Sequence, residues 1–136
     1  MGAQLADPKD KRILVVDDDE SVCAVLEHVI QKEGFQVAKA TDGEVALQMV
    51  KQQHFDLLVL DVMLPRYGGF EILRELQVDQ RDLPVVVVTG RYTDRSTEEM
   101  IRQESNVVDF LAKPINQPVL TGALHRVLKT QPPPAT

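Results

Sequence analysis

A chain of 136 residues can bury one core without staples, and its single cysteine excludes an internal disulfide framework. A formal net charge of -6 argues against a direct nucleic-acid surface. The N-terminus lacks an apolar signal region and no apolar run reaches membrane-spanning length, so a soluble, cytoplasmic protein with no membrane partner is expected.

In chain order, residues 1–11 form a polar leader, expected to be loose. Ile13 to Asp17 then reads as a strand buried on both faces, running straight into Asp18, Asp19 and Glu20. A helix follows, with apolar residues at Val22, Val25, Leu26, Val29 and Ile30, and Gly34 stops it. Cys23 reads as a small core residue. Gln36 to Ala40 is the second strand. Thr41 and Glu44 have capping-box spacing for a second helix carrying Val45, Ala46, Met49 and Val50. Leu57 to Asp61 is the third strand, and Phe70, Ile72, Leu73 and Leu76 mark the third helix. Pro84 to Thr89 is the fourth strand. Ser96 and Glu99 are expected to cap a mostly polar fourth helix whose few apolar residues are Met100 and Ile101. Val107 to Ala112 is the fifth strand, and Asn116 caps a fifth helix carrying Val119, Leu120, Leu124, Val127 and Leu128. The Pro-rich residues 130–136 cannot continue that helix and read as a linker stub or free end.

Five βα units predict a single α/β domain over residues 12–129: a doubly wound parallel sheet with helices on both faces. Such sheets bind ligands outside the carboxyl ends of their strands. The residues there are Asp17 and Asp18, Asp61, Thr89 and Lys113. Clustered carboxylates repel one another unless a hard cation joins them. Mg²⁺ suits such oxygen donors and would also neutralise a phosphoryl group in transfer. Asp61 is then the candidate nucleophile, forming an acyl phosphate, with Lys113 adding positive charge and Thr89 a hydrogen-bond donor.

The stretches ILVVDDDE, DLLVLDVMLP, GGFEIL, PVVVVTG and DFLAKPI, in this order, resemble the receiver domains of two-component response regulators, a CheY-like superfamily. The resemblance covers Arg12 to Lys129. It implies a flavodoxin-like fold with strand order 2-1-3-4-5 and five helices, and a switch phosphorylated by a histidine kinase or histidine phosphotransfer protein. By the same resemblance Asp61 is the phospho-acceptor. Asp17, Asp18, Asp61 and the backbone carbonyl of Met63 hold Mg²⁺, with Asp18 the more direct ligand. Lys113 pairs with Asp61 or its phosphate, Thr89 senses the phosphoryl oxygen, Phe110 is the switch aromatic, and the Lys113–Pro114 bond is cis. Output, to an effector domain or protein or in a homodimer, is implied on the face of the fourth helix, fifth strand and fifth helix. The chain departs from the pattern at Gly68, at Gly90, at Phe110 (Tyr is more frequent) and at Asn106, where Gly is usual. Asn106 is expected to keep the left-handed turn that Gly would make. Apolar Met63 and bulky Arg91 suggest slow hydrolysis of the phosphate.

Two rival readings carry other roles. In a haloacid-dehalogenase-type phosphatase, Asp17 would be nucleophile and Asp19 general acid. A pseudo-receiver would bind partners without phosphorylation. Asp19 and Glu20 read as residues favouring the first helix N-terminus. His28, His54 and His125 read as helix-surface or loop residues, and Arg91, Arg95 and Arg102 as a solvated face.

Overall fold

A computed structural model describes residues 4–62, 68–90 and 95–133. Five strands, β1 (Arg12–Val16), β2 (Gln36–Ala40), β3 (Leu57–Asp61), β4 (Val85–Thr89) and β5 (Val107–Ala112), form one parallel sheet in the order β2-β1-β3-β4-β5. Helices α1 (Glu20–Lys32), α2 (Gly43–Gln52), α3 (Gly69–Asp79), α4 (Arg95–Arg102) and α5 (Gln117–Leu128) alternate with them. This is the doubly wound, flavodoxin-like order that the resemblance implied. Alternation along each strand divides the core. Leu14, Leu58, Leu60, Val85 and Val87 pack with residues of α2, α3 and α4. Ile13, Val15, Leu57, Val59 and Val86 pack with Cys23, Leu26 and Ile30 of α1 and with Leu120 and Leu124 of α5. β3 and β4 are buried along their whole length, which is why they read as unbroken apolar runs.

Several local expectations change. Asp42, not Thr41, caps α2, accepting from the Val45 amide at 2.8 Å. Either residue can cap, but Asp is the stronger acceptor there. Ser96 lies inside α4, whose first residue is Arg95, so it is not the cap. Val25, counted on the apolar stripe of α1, is 54% exposed. Asn116 does cap α5, accepting from the Val119 amide, and Gly34 ends the turn after α1 at φ +100°.

Asn106 does not adopt a left-handed conformation; among the described non-glycine residues only Lys129 does. It is buried instead, and its side-chain amide donates to the Leu73 carbonyl at 3.1 Å and accepts from Gln77 Nε2 at 3.1 Å. It ties the turn before β5 to α3, a task glycine could not perform. At the start of β5 the register slips, Val85 facing Val107 and Val86 facing Asp109.

The leader is not loose over its described part. The Ala6 amide donates to the Lys129 carbonyl at 2.9 Å, and the Gln131 amide donates back to Ala6 at 3.0 Å. Pro8 is buried in a 3-10 turn (Pro8–Asp10) capped by Asp7. A Cβ on Gly34 would come within 3.1 Å of Pro8, so this close approach, with the positive φ, requires glycine. His125, expected at the surface, is buried. Its Nε2 donates to Glu33 Oε1 at 2.9 Å, its Nδ1 pairs with Thr130 Oγ1 at 2.7 Å, and its ring lies 4.9 Å from that of Phe35.

Candidate functional site

Parallel topology brings the ends of β1, β3, β4 and β5 to one edge. β1 stops at Val16, and the Asp17 amide still donates to Ala40 on β2, which aims Asp17 over the sheet. Asp61 is the last residue of β3 and faces Val88 of β4. Asp17 and Asp61 are 2% and 4% exposed, whereas Asp18 is open to solvent. Oxygens of these three carboxylates lie within 4.8 Å of one another.

Lys113 reaches into this group from beyond β5. Its Nζ lies 2.8 Å from Asp17 Oδ2 and 3.1 Å from Asp61 Oδ2. Its amide donates to the Thr89 carbonyl, so β4 fixes the root of the side chain. Burial alone would lower its pKa, but hydrogen bonds to Asp17 and Asp61, with their charges, outweigh it and the net shift is upward. The Lys113–Pro114 peptide bond is cis, as the resemblance implied.

Both oxygens of Asp17 are engaged, since Oδ1 accepts the Asp19 amide at 2.9 Å. The Asp17 carbonyl also accepts from Cys23 Sγ, whose thiol pKa is pushed up by burial and then by the Asp17 charge. Asp19 caps α1, its Oδ1 accepting the Ser21 and Val22 amides. A phosphatase using Asp17 as nucleophile and Asp19 as acid would need both groups facing substrate. Here Asp17 has both oxygens taken, one by the Asp19 amide and one by Lys113, and Asp19 is turned to the amides that open α1.

Thr89 is buried at the end of β4, opposite Ala112. Phe110 faces Val87 and is 9% exposed. Among the described residues, a Cβ on Gly90 would meet no atom within 4 Å. Met63 and Arg91 lie outside the described residues. What sequence reasoning missed is Arg102. It is exposed, as expected of a solvated face, and its guanidinium carbon also sits 4.9 Å from the Phe110 ring centroid. Its helical position on α4 was readable; the strand residue beneath it was not.

The arrangement defines a class: a CheY-like α/β domain with an acidic, lysine-bridged cluster at its carboxyl edge. The profile of the response regulator receiver domain matches residues 13–125, and the chain belongs to that family. Response regulator MprA of Mycobacterium leprae (strain TN) is 38% identical over 122 residues, covering 90% of this chain and 53% of the relative. The alkaline phosphatase synthesis transcriptional regulatory protein PhoP of Bacillus subtilis (strain 168) is 32% identical over 120 residues, covering 88% of this chain and 49% of the relative. The chain thus spans about half the length of these curated relatives. Among solved structures, the CheY-like receiver domain protein from Methanospirillum hungatei JF-1 superposes with TM-score 0.81 at 25% identity, covering 87% of this chain and 93% of that one. Vibrio cholerae chemotaxis protein CheY4 gives TM-score 0.78 at 28% identity, covering 87% and 98%. The chain is a receiver domain of two-component signalling, a phosphorylation-responsive switch. Among the described residues no helix is long and apolar enough to cross a membrane.

Proposed function

We propose that Asp61 is the phospho-acceptor and that the domain catalyses its own phosphorylation and slow dephosphorylation. A carboxylate oxygen of Asp61 attacks the phosphorus of a phosphohistidine on a histidine kinase or histidine phosphotransfer protein. The phosphorus–nitrogen bond breaks, the imidazole keeps the electron pair, and an acyl phosphate remains. In dephosphorylation a water oxygen attacks phosphorus and gives up a proton to solvent, the bond to Asp61 breaks with the carboxylate keeping the electron pair, and inorganic phosphate leaves.

The observation that carries this reading is the cluster of Asp17, Asp18 and Asp61 around the Lys113 ammonium. Its hard oxygen donors fit Mg²⁺, which Asp17, Asp18 and Asp61 would hold, and the family resemblance would add the Met63 carbonyl. Bound there, Mg²⁺ supplies charge neutralisation for a transferring phosphoryl group. Lys113 holds the acceptor carboxylate before transfer and pairs with a phosphoryl oxygen after it. Thr89 donates a hydrogen bond to another phosphoryl oxygen. Its movement vacates space for Phe110 and alters the face made by α4, β5 and α5. An effector domain, a separate effector or a second copy reads that face. Since PhoP is by name a transcriptional regulator, a transcriptional output outside this stretch is the output we favour. Residues 12–129 are the receiver unit, with 1–11 as leader and 130–136 as a Pro-rich tail or linker stub, working in the cytoplasm.

Incubation with acetyl phosphate and Mg²⁺ tests the assignment, with peptide mapping of the labelled residue. Label on Asp61, lost on chelation of Mg²⁺ beforehand, is expected. Label on Asp17 would point to the phosphatase reading, and no label from any donor to a pseudo-receiver.

A further inference from the structure

Phe110 is the residue expected to move, yet its ring is held from above. Arg102, the last residue of α4, places its guanidinium carbon 4.9 Å from the ring centroid. Its Nε and Nη2 each lie 3.0 Å from Glu98 Oε1, one helical turn back. An arginine plane braced in this way covers an aromatic face by cation–π attraction and stacking.

The mount beneath that lid is rigid. Ile101, beside Arg102, is buried in the core against α3. Glu104 follows, accepting from Gln77 Nε2 at 2.6 Å and pairing with Arg74 Nε at 3.6 Å. Asn106 adds its bonds to Gln77 and to the Leu73 carbonyl. The turn that follows α4 is therefore tied to α3, and Phe110 lies on β5 beyond it. Ring and lid are mounted on separate elements.

We propose that Arg102 is a latch, a positioning residue that holds Phe110 in its resting place and must be unstacked when Asp61 is phosphorylated. The latch rests on the roles given above to Asp61 and Phe110. A ligand that binds only the switched conformation binds with an affinity reduced by the fraction of molecules already in it. A half-exposed cation–π contact biases that fraction by a factor of about two to five. Loosening the latch raises the switched population without touching the phosphorylation site.

The test is titration of the full chain with beryllofluoride and Mg²⁺, followed by the NMR resonances of the Phe110 ring and by thermal melts. Arg102→Gln should lower the apparent Kd about two- to fivefold and move the free protein's ring resonances toward their bound positions. Arg102→Lys should recover part of the difference, and Glu98→Gln should shift both readouts the same way by less. Arg102 is half-exposed, so the variants are expected to fold with little change in melting temperature. An unchanged Kd with unchanged ring resonances overturns the latch, and so does a raised Kd, which would place Arg102 in support of the switched state. A wild-type chain that binds no beryllofluoride at Asp61 overturns the site assignment and the latch with it. Normal binding with no response to Arg102→Gln removes the latch alone.

Discussion

At the carboxyl edge of the sheet, Asp17, Asp18 and Asp61 lie together with one ammonium, that of Lys113, among them. At the amino edge, charged groups meet matched partners. Glu33 meets His125, which also meets Thr130; Asp56 accepts the Arg12 amide at 2.8 Å, and Arg12 covers the Phe55 ring. Leader and tail close over that edge through the paired hydrogen bonds of Ala6. One edge is saturated by the chain itself. The other is left with three clustered carboxylates and one ammonium, an excess of negative charge. Stability is concentrated at one edge and responsiveness at the other.

The largest effect that separates them is expected from Asp61→Asn. Phosphorylation by acetyl phosphate should fall to background, because the neutral amide is not a competent nucleophile. The melting temperature without Mg²⁺ should change little, since the lost pairing with Lys113 is offset by weaker repulsion from Asp17 and Asp18. Phosphorylation of the variant at undiminished rate would show that the carboxyl edge has another acceptor.

The amino edge should behave in the opposite way. His125→Ala removes two hydrogen bonds and a ring packed on Phe35, and leaves the Glu33 carboxylate without its partner. A loss of about 2–4 kcal/mol is expected in denaturant unfolding. The phosphorylation rate of the folded fraction should be unchanged. A variant with wild-type stability but impaired phosphorylation would invert the comparison.

The two edges also differed in how far they could be read from sequence. Residues at the carboxyl edge sit at strand ends, and parallel topology alone gathers strand ends. Asp17, Asp61, Thr89 and Lys113 were legible for that reason. His125 has helical spacing that says nothing of Glu33, 92 residues away, or of a tail folding back beneath it. Asn106 failed likewise, and the stacking of exposed Arg102 on Phe110 went unread, because each contact is to a residue on another element. Thr41 failed locally: the alternatives, Thr41 and Asp42, differ by one residue, and backbone conformation decides between them.

Lys113→Met sharpens the electrostatic side of the contrast. Without Mg²⁺ it leaves Asp17 and Asp61 close together and uncompensated. A loss of about 1–3 kcal/mol is expected, below the fully buried range because the lysine is partly exposed. Added Mg²⁺ should restore most of it. The wild type supplies a matching pH test. The folded-state pKa of Lys113 is raised. Its stabilising contribution is therefore complete below the ordinary lysine pKa and is lost as pH rises from there through the folded value. Stability of the wild type relative to Lys113→Met should be flat from neutral pH upward and decline only in that alkaline window. A decline near neutral pH would assign the titration to another group.

Asp18→Asn is expected to have the smallest effect on stability, and its sign is the informative part. Asp18 is exposed, and its carboxylate lies in the same oxygen cluster as those of Asp17 and Asp61. An exposed charge is well solvated, so removing it costs little, and repulsion at this separation is weakened by water. The net change without Mg²⁺ should be a gain of about 0.5 kcal/mol, larger at low ionic strength than at high. Mg²⁺ affinity should fall by about tenfold or more, because the lost oxygen is a charged ligand for a hard cation. The two halves have one cause: the charge that attracts the metal is the charge that strains the metal-free edge. Melts at low and high salt, each with and without Mg²⁺, measure both. A variant that loses stability without Mg²⁺ would show that Asp18 makes a structural contact instead, and the carboxyl edge would then resemble the amino edge more than its geometry suggests.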